Sequence, residues 1–193
     1  MARALKVGRD EFKNEPDIDA VQAAYALLTT DRQRAIEMLV PLAERGSVAS
    51  MVHLGWAHCL ERPDYKNEEY WYLRAHNAGS REASFKLGRL YYVFKDYEKA
   101  ALFFKEGIKF DDPSSMFQLG SIYLFIFNDP GEGKRLLSLA KERGHLGAEL
   151  MLAQAHLQGK FGAAARMPAI WAVARAMWKL ALHKYNNPDF VLE

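Results

Sequence analysis

Cysteine is almost absent from this sequence, because Cys59 is the only one among 193 residues. A single thiol excludes an internal disulfide framework and any zinc site built from several cysteines. It is compatible with a reducing compartment. The fold therefore has to be held together by packing and hydrogen bonds.

The chain also lacks a charge excess and a long apolar run. Lysine and arginine number 26 against 24 aspartates and glutamates, a net charge of +2, so nucleic acid is not an expected partner. The longest apolar stretch, around SIYLFIF, is far shorter than the ~20 residues that span a bilayer. The first residues, MARALKVGRDEFKNEPD, carry charges every few positions and do not resemble a secretory signal. We expect a cytoplasmic protein without a membrane span.

A repeat with a period of about 33 residues runs through the sequence. Four segments align, ASMVHLGWAHCL, ASFKLGRLYYVF, SSMFQLGSIYLF and AELMLAQAHLQG, and their anchor residues are Gly55, Gly88, Gly120 and Ala153. A leucine precedes each anchor and a ring follows it by three positions, so both lie on one helix face. Glycine inside a helix costs about 1 kcal/mol relative to alanine. Its recurrence predicts the close approach of a second helix.

The second helices are visible between the anchors, in segments such as YEKAALFFKEGIKF and GKRLLSLAKERGH. Gly46, Gly79 and Gly144 follow three of them and predict left-handed helix caps. Pro41 falls inside a second helix and predicts a kink. The sequence thus predicts an all-α fold, an α-α superhelix of about five hairpins near 18–46, 47–79, 80–112, 113–144 and 145–185. The solenoid would cover 17–187, with an amino-terminal extension at 1–16 and a tail at 188–193.

These motifs resemble tetratricopeptide-type repeats and, more narrowly, Sel1-like repeats (SLR). WYLRAHNAGSREASFKLGRLYY is similar to the stretch in which one such repeat passes into the next, and LAERGSVASMVHLGWAHCL and LAKERGHLGAELMLAQAHL match it again. The intervals between the anchors are shorter than is usual for SLR, and the last unit carries the insertion QGKFGAAARMPAI. The resemblance implies an adaptor or scaffold that recruits other proteins without catalysing a reaction.

A concave groove lined by the first helices is the expected binding surface of such an array. Helical rotation of about 100° per residue places positions +1 and +5 from each anchor opposite the packed face, and position +4 adds Tyr92. We predict that the groove is lined by Trp56, Leu60, Arg89, Tyr92, Val93, Ser121, Phe125, Gln154 and Gln158. The alternative is that the large apolar residues of these rows only fill the core.

No catalytic, cofactor or metal site is predicted. The histidines lack the spacing that places two ligands on one helix face, and His58 and His156 occupy the ring position of the repeat. Cys59 beside His58 does not form a nucleophile–base pair, because neighbouring helical residues point about 100° apart. Asp112 and Pro113 predict a helix start, and GEGK at 131–134 is interpreted as a turn.

The sequence therefore predicts a non-enzymatic module that binds a peptide or helix of another protein in the groove. Arg89 would pair with an acidic group of that partner. The alternative is a structural repeat protein that self-associates through its apolar last hairpin, MPAIWAVARAMWKLAL, in which Trp171, Val173, Met177, Trp178 and Leu182 stand out.

Overall fold

The computed structural model describes residues 15–60 and 64–161 and, further on, residues 174, 175, 177, 178 and 181. These residues form α-helices and connecting turns, with no strand among them, which confirms the predicted all-α class. The helices are α1 Ile18–Leu27, α2 Arg32–Glu44, α3 Val48–Cys59, α4 Tyr65–Asn77, α5 Arg81–Val93, α6 Tyr97–Ile108, α7 Pro113–Phe125, α8 Pro130–Glu142 and α9 Leu146–Leu157.

Each helix from α2 to α8 begins at a short polar side chain that caps it. Asp31, Asp64, Asp96 and Asp129 precede the second helices, and each accepts a hydrogen bond from the backbone N–H three residues on. Ser47, Ser80 and Asp112 do the same for first helices. Such a cap contributes about 1 kcal/mol, because it satisfies a backbone donor that the helix leaves open. The predicted start at Asp112 and Pro113 is confirmed, with Asp112 Oδ2 2.8 Å from the Ser115 amide.

Left-handed residues end the second helices, as the sequence predicts. Gly46, Gly79 and Gly144 have φ of 96°, 90° and 86°. Asp111 takes the corresponding place after α6 with φ 60°, and Arg143 Nε donates to its carboxylate at 2.7 Å. An aspartate tolerates this conformation better than most residues with a Cβ. The ion pair helps to hold it there.

The chain divides into two compact units, Met1–Lys95 and Asp96–Glu193. In the first unit α1 packs against α2, α2 against α3, α3 against α4, and α4 against α5. Leu39, Leu54 and Leu87 are fully buried there. The anchor Gly55 lies against Tyr72 of α4: a Cβ at Gly55 would come within 2.5 Å of the tyrosine ring. The recurrent glycine does allow a second helix to approach at this anchor.

In the second unit α6 to α9 pack in the same consecutive way. The helices α7 and α8 approach each other closely where two glycines face each other. A Cβ at Gly120 would lie 3.2 Å from the Gly133 carbonyl, and a Cβ at Gly133 would lie 3.0 Å from the Gly120 carbonyl. Leu137, which is fully buried, fills the space beside them.

One connector differs from expectation. GEGK, interpreted as a turn, lies inside α8, because Asp129 caps the helix and Pro130 starts it. Gly131 and Gly133 are therefore helical. Pro41 lies inside α2 as predicted, and its kink stays a prediction. The extension up to residue 14, Pro63, the tail and most of the last hairpin, with Trp171, Val173 and Leu182, lie outside the described residues.

Candidate functional site

Trp56 lies on α3 of the first unit and is partly buried. Its ring stacks on Tyr25 of α1, with 5.7 Å between ring centroids and 27° between the planes. Tyr25 also contacts His53 at 4.7 Å. Trp56 thus packs against Tyr25 and presents only part of its surface.

Leu60, predicted one turn further along α3, does not lie on that helix. It is the C-cap residue in an extended conformation, with φ −75° and ψ 146°. Its carbonyl accepts a hydrogen bond from Arg32 Nη1 at 2.6 Å. The rotation of about 100° per residue therefore does not apply to Leu60, and its place in the groove stays a prediction.

One face of α5 carries a stripe formed by Phe85, Arg89, Tyr92 and Val93, which we call the α5 stripe. The spacings of four, seven and eight residues place these side chains on one side of the helix. Tyr92 is 40% and Val93 65% exposed. The Arg89 guanidinium lies 6.0 Å from the centroid of the Phe85 ring and is exposed. Among the residues that the structure describes, Arg89 has no carboxylate oxygen within 4 Å.

Two exposed rings that the sequence reasoning missed lie at the end of α5 and at the start of α4. Phe94, which follows α5, meets Tyr65 of α4 edge to face at 4.9 Å. Both are more than 40% exposed. Tyr65 belongs to a second helix, whereas the predicted groove residues belong to first helices. Phe94 lies one position after Val93, which is the last groove residue predicted on α5. Their pairing depends on how α4 packs against α5, which spacing within one helix does not reveal.

A buried carboxylate lies close enough to the α5 stripe to be influenced by the charge of Arg89. Glu68 of α4 is 6% exposed, and its Oε2 has no hydrogen-bond partner. Burial raises the pKa of Glu68, and its hydrogen bond with Cys59 and the charges of Lys86 and Arg89 oppose that rise. The pKa of the Cys59 thiol is also raised, first by burial and then by the neighbouring Glu68 charge. At neutral pH this thiol is protonated, which makes it a poor nucleophile.

In the second unit the predicted residues fall on α7 and α9 or just beyond. The Ser121 hydroxyl donates to the Phe117 carbonyl at 2.9 Å, so it is engaged within its own helix. Phe125 ends α7 and is 39% exposed, while Gln154 and Gln158 are exposed on and after α9. The structure places each of these residues within the second unit.

Lysines lie over aromatic rings in this unit, a feature that spacing did not predict. Lys160 Nζ is 5.7 Å from the Phe125 centroid, and Lys134 Nζ is 5.4 Å from that of Phe161. Both pairs join residues that lie far apart in sequence, so they depend on the tertiary arrangement.

The histidines pack against rings. His145 stacks on Phe117 at 4.3 Å and 17°, and His156 meets Phe161 edge to face at 4.7 Å. Burial lowers the pKa of both, and it lowers that of His53 to about 4. Neutral rings therefore predominate at pH 7. Within the described ranges no three His, Cys, Asp or Glu side chains come together as a metal site, and no helix there is long and apolar enough to cross a membrane.

Solved structures identify the fold. A Sel1 repeat protein from Oxalobacter formigenes superposes with a TM-score of 0.65 at 20% identity, covering 88% of this chain and 75% of that one. The chain has the Sel1-like repeat fold. A protective antigen of uropathogenic Escherichia coli with an SLR fold gives 0.64 at 21% identity, covering 86% of this chain and 41% of that one. The predicted SLR resemblance and α-α superhelical repeat class are thereby confirmed at the level of fold.

An immunity protein from Pseudomonas aeruginosa is similar as well, with a TM-score of 0.51 at 17% identity over 76% of this chain and 62% of that one. No protein-family model and no curated protein matches the sequence. The fold is therefore shared with proteins that are only 17–21% identical to this chain.

Proposed function

We propose that this chain is a non-enzymatic interaction module, an adaptor or scaffold, that binds a peptide or helix of another protein on the open faces of its first helices. The observation that carries the proposal is the α5 stripe, where an exposed arginine stands among exposed apolar side chains. Aromatic residues and arginine are the types that dominate binding energy at protein interfaces.

The α5 stripe has the spacing of a helical docking face. A partner helix or extended peptide lying along α5 would cover Val93 and Tyr92 and bring an acidic side chain to Arg89. Covering one such apolar side chain contributes about 1–3 kcal/mol. Arg89 can form a charge-assisted hydrogen bond with a carboxylate, because its planar guanidinium presents several donors. Trp56, on the neighbouring first helix α3, would extend this contact.

The titratable residues of the first unit favour binding over chemistry. Cys59 is held protonated beside Glu68, and burial keeps His53 neutral. A nucleophile needs a lowered pKa or a positioned base to act near neutral pH. The raised pKa of Cys59 is a shift in the opposite direction. A cytoplasmic location and the absence of nucleic-acid binding remain predictions.

Site-specific photo-crosslinking tests the proposal. A photoreactive phenylalanine placed at Val93 should capture a partner protein in cells, whereas the same group at Glu37, exposed on α2, serves as the matched control. Arg89→Glu should abolish the Val93 adduct while the chain stays folded, with at most a small fall in the thermal unfolding midpoint, because Arg89 is exposed and its charge acts on buried Glu68. Equal capture from Val93 and Glu37, or adducts that ignore Arg89→Glu, would show that this face is not the binding site.

Self-association through the last hairpin is the second candidate. Its supporting observation is that Met177 and Trp178 are 59% and 67% exposed. Exposed apolar side chains at the end of a repeat array favour association, because terminal repeats need polar outer faces to stay monomeric. Multi-angle light scattering at increasing concentration decides the matter. A constant monomer mass ends this hypothesis, and a dimer that Trp178→Ser dissociates supports it.

A further inference from the structure

The second unit has a cationic surface at the end where α7, the start of α8 and the end of α9 converge. We define it by Phe125, Lys134, Leu157, Lys160 and Phe161 and call it the lysine–aromatic edge. Phe125 and Leu157 are 39% and 38% exposed. The two lysine ammonium groups lie over the rings of Phe125 and Phe161, at 5.7 and 5.4 Å from the centroids. This surface therefore combines apolar area with positive charge.

The two cations are not neutralised by neighbouring acids. Within the described part of the second unit neither Lys134 nor Lys160 has a carboxylate oxygen within 4 Å. Glu132, the acidic residue close to Lys134 in sequence, accepts from Arg135 Nη2 and Nε at 2.7 Å. The charge of Lys134 reaches His156, whose pKa it helps to lower after the larger effect of burial. The edge thus presents two ammonium groups that have no paired carboxylate among the described residues.

A carboxylate can approach this edge without displacing an existing ion pair. A lysine over a ring at an exposed site is held by about 0.5–1 kcal/mol, and its ammonium keeps donors for an additional acceptor. Lys109 of the same unit differs, since it already binds both oxygens of Glu106 at 2.7 and 2.8 Å. An acidic ligand would gain more at Lys134 and Lys160 than at Lys109.

We propose that the lysine–aromatic edge docks an acidic segment of a partner protein. Carboxylates of the segment bind Lys134 and Lys160, and an apolar side chain of the same segment covers Phe125 and Leu157. The inference rests on the proposed role as a protein-binding repeat, and it adds a second surface in the other unit together with the charge of its ligand.

A protein segment fits this edge better than an anionic membrane does. Residues 125–127 are exposed and apolar, as in loops that insert into lipid. The chain continues at once into Asn128 and the carboxylate of Asp129, which would be repelled by acidic headgroups. A peptide can place its acidic groups at the lysines and avoid Asp129.

Selection of short random peptides displayed on phage, with the full chain as bait, gives the chemistry of the ligand directly. We expect enriched peptides to be rich in Asp and Glu beside an aromatic residue or leucine. Synthesised and fluorescently labelled, they should bind the double variant Lys134→Gln/Lys160→Gln about tenfold more weakly than the unmodified chain, because two charge pairs are lost. Higher ionic strength should weaken binding to the unmodified chain.

The matched control is Lys109→Gln/Lys141→Gln, which removes the same two charges from the same unit at residues that pair with Glu106 and Glu149. It should bind the peptides as the unmodified chain does. Enriched peptides without acidic residues, or equal losses in both double variants, would overturn the inference. If the first double variant unfolds, Lys160→Gln alone should still weaken binding several-fold.

The outcomes separate this inference from the proposed function. Acidic peptides that lose binding with Arg89→Glu, and not with the lysine variants, would leave the proposed function intact and overturn this edge. Failure to select any peptide would count against both. Sedimentation of the chain with phosphatidylserine vesicles in a lysine-dependent manner, without peptide binding, would assign the edge to a membrane instead and overturn the protein ligand.

Discussion

Acid should destabilise this fold through His53. The ring lies against Tyr25 with 4.7 Å between centroids, and burial lowers its pKa from 6.5 to about 4. In the unfolded chain the same ring binds a proton near pH 6.5. Between these two values the unfolded state holds more protons than the folded state, so stability rises with pH. The contribution of His53 is complete above pH 6.5 and is lost as the pH falls towards 4.

The size of the effect follows from the shift. One pKa unit corresponds to about 1.4 kcal/mol. At pH 5 most unfolded chains carry the proton and few folded chains do, which costs the fold about 2 kcal/mol relative to pH 7.5. The His53 ring is partly exposed, and solvent screens part of its charge. We therefore expect the free energy of unfolding to fall by about 1–2 kcal/mol.

Urea unfolding at pH 7.5 and pH 5 measures the loss directly. Other groups titrate in this range, so the informative quantity is the difference between the unmodified chain and His53→Phe, which keeps a ring against Tyr25 and has no titratable nitrogen. The variant should lose less stability on acidification than the unmodified chain does, and the difference should equal the loss assigned to His53. His53→Gln, which is smaller and also uncharged, is a second control in case the phenylalanine overpacks the site. Equal losses in all three chains would refute the assignment of a buried neutral His53.

Three further predictions concern packing and buried charge. Gly133→Ala should destabilise the fold by about 1–3 kcal/mol, because its Cβ would meet Leu124 Cβ at 2.9 Å. Gly131→Ala in the same helix has only Asp129 Oδ1 at 3.4 Å nearby, so it should be neutral or stabilise by up to about 1 kcal/mol in urea unfolding. Glu68→Gln should stabilise the chain at pH 8, since the raised pKa of Glu68 means that ionisation opposes folding. As the pH rises from 4.5, the free energy of unfolding should therefore fall less in the variant than in the unmodified chain. A less stable variant at pH 8 would contradict this. Cys59, although exposed, should react slowly with iodoacetamide at pH 7.5, and Glu68→Gln should speed the reaction by lowering the thiol pKa; unchanged rates would argue against their coupling.

The fold was largely predictable because its signals are local and repeat. Each of the repeated signals reflects a requirement within a few residues. These signals are the leucine before the anchor, the ring after it and the glycine at the end of the second helix. Gly55 and Gly120 show why the pattern works, since each lies where a Cβ would collide with the second helix. The all-α repeat class follows from these positions alone.

The candidate surfaces were less predictable, because they depend on where helices stop and which of them meet. Leu60 was placed by helical rotation, but α3 ends one residue earlier. GEGK resembles a turn by composition, yet the cap at Asp129 makes it helical. The position of Lys160 over Phe125 joins residues from separate repeats. No spacing within a single helix contains that information.

The left-handed residues Gly46, Gly79, Asp111 and Gly144 have a consequence for how the chain evolved. They follow one another at a nearly constant interval, so each marks the same point in the repeat. Cutting the gene at two of these points would remove one whole repeat and rejoin a second helix to a first helix through an equivalent left-handed residue. Repeats could thus be gained or lost in register, and the chain could change its length while keeping the local geometry of every remaining joint.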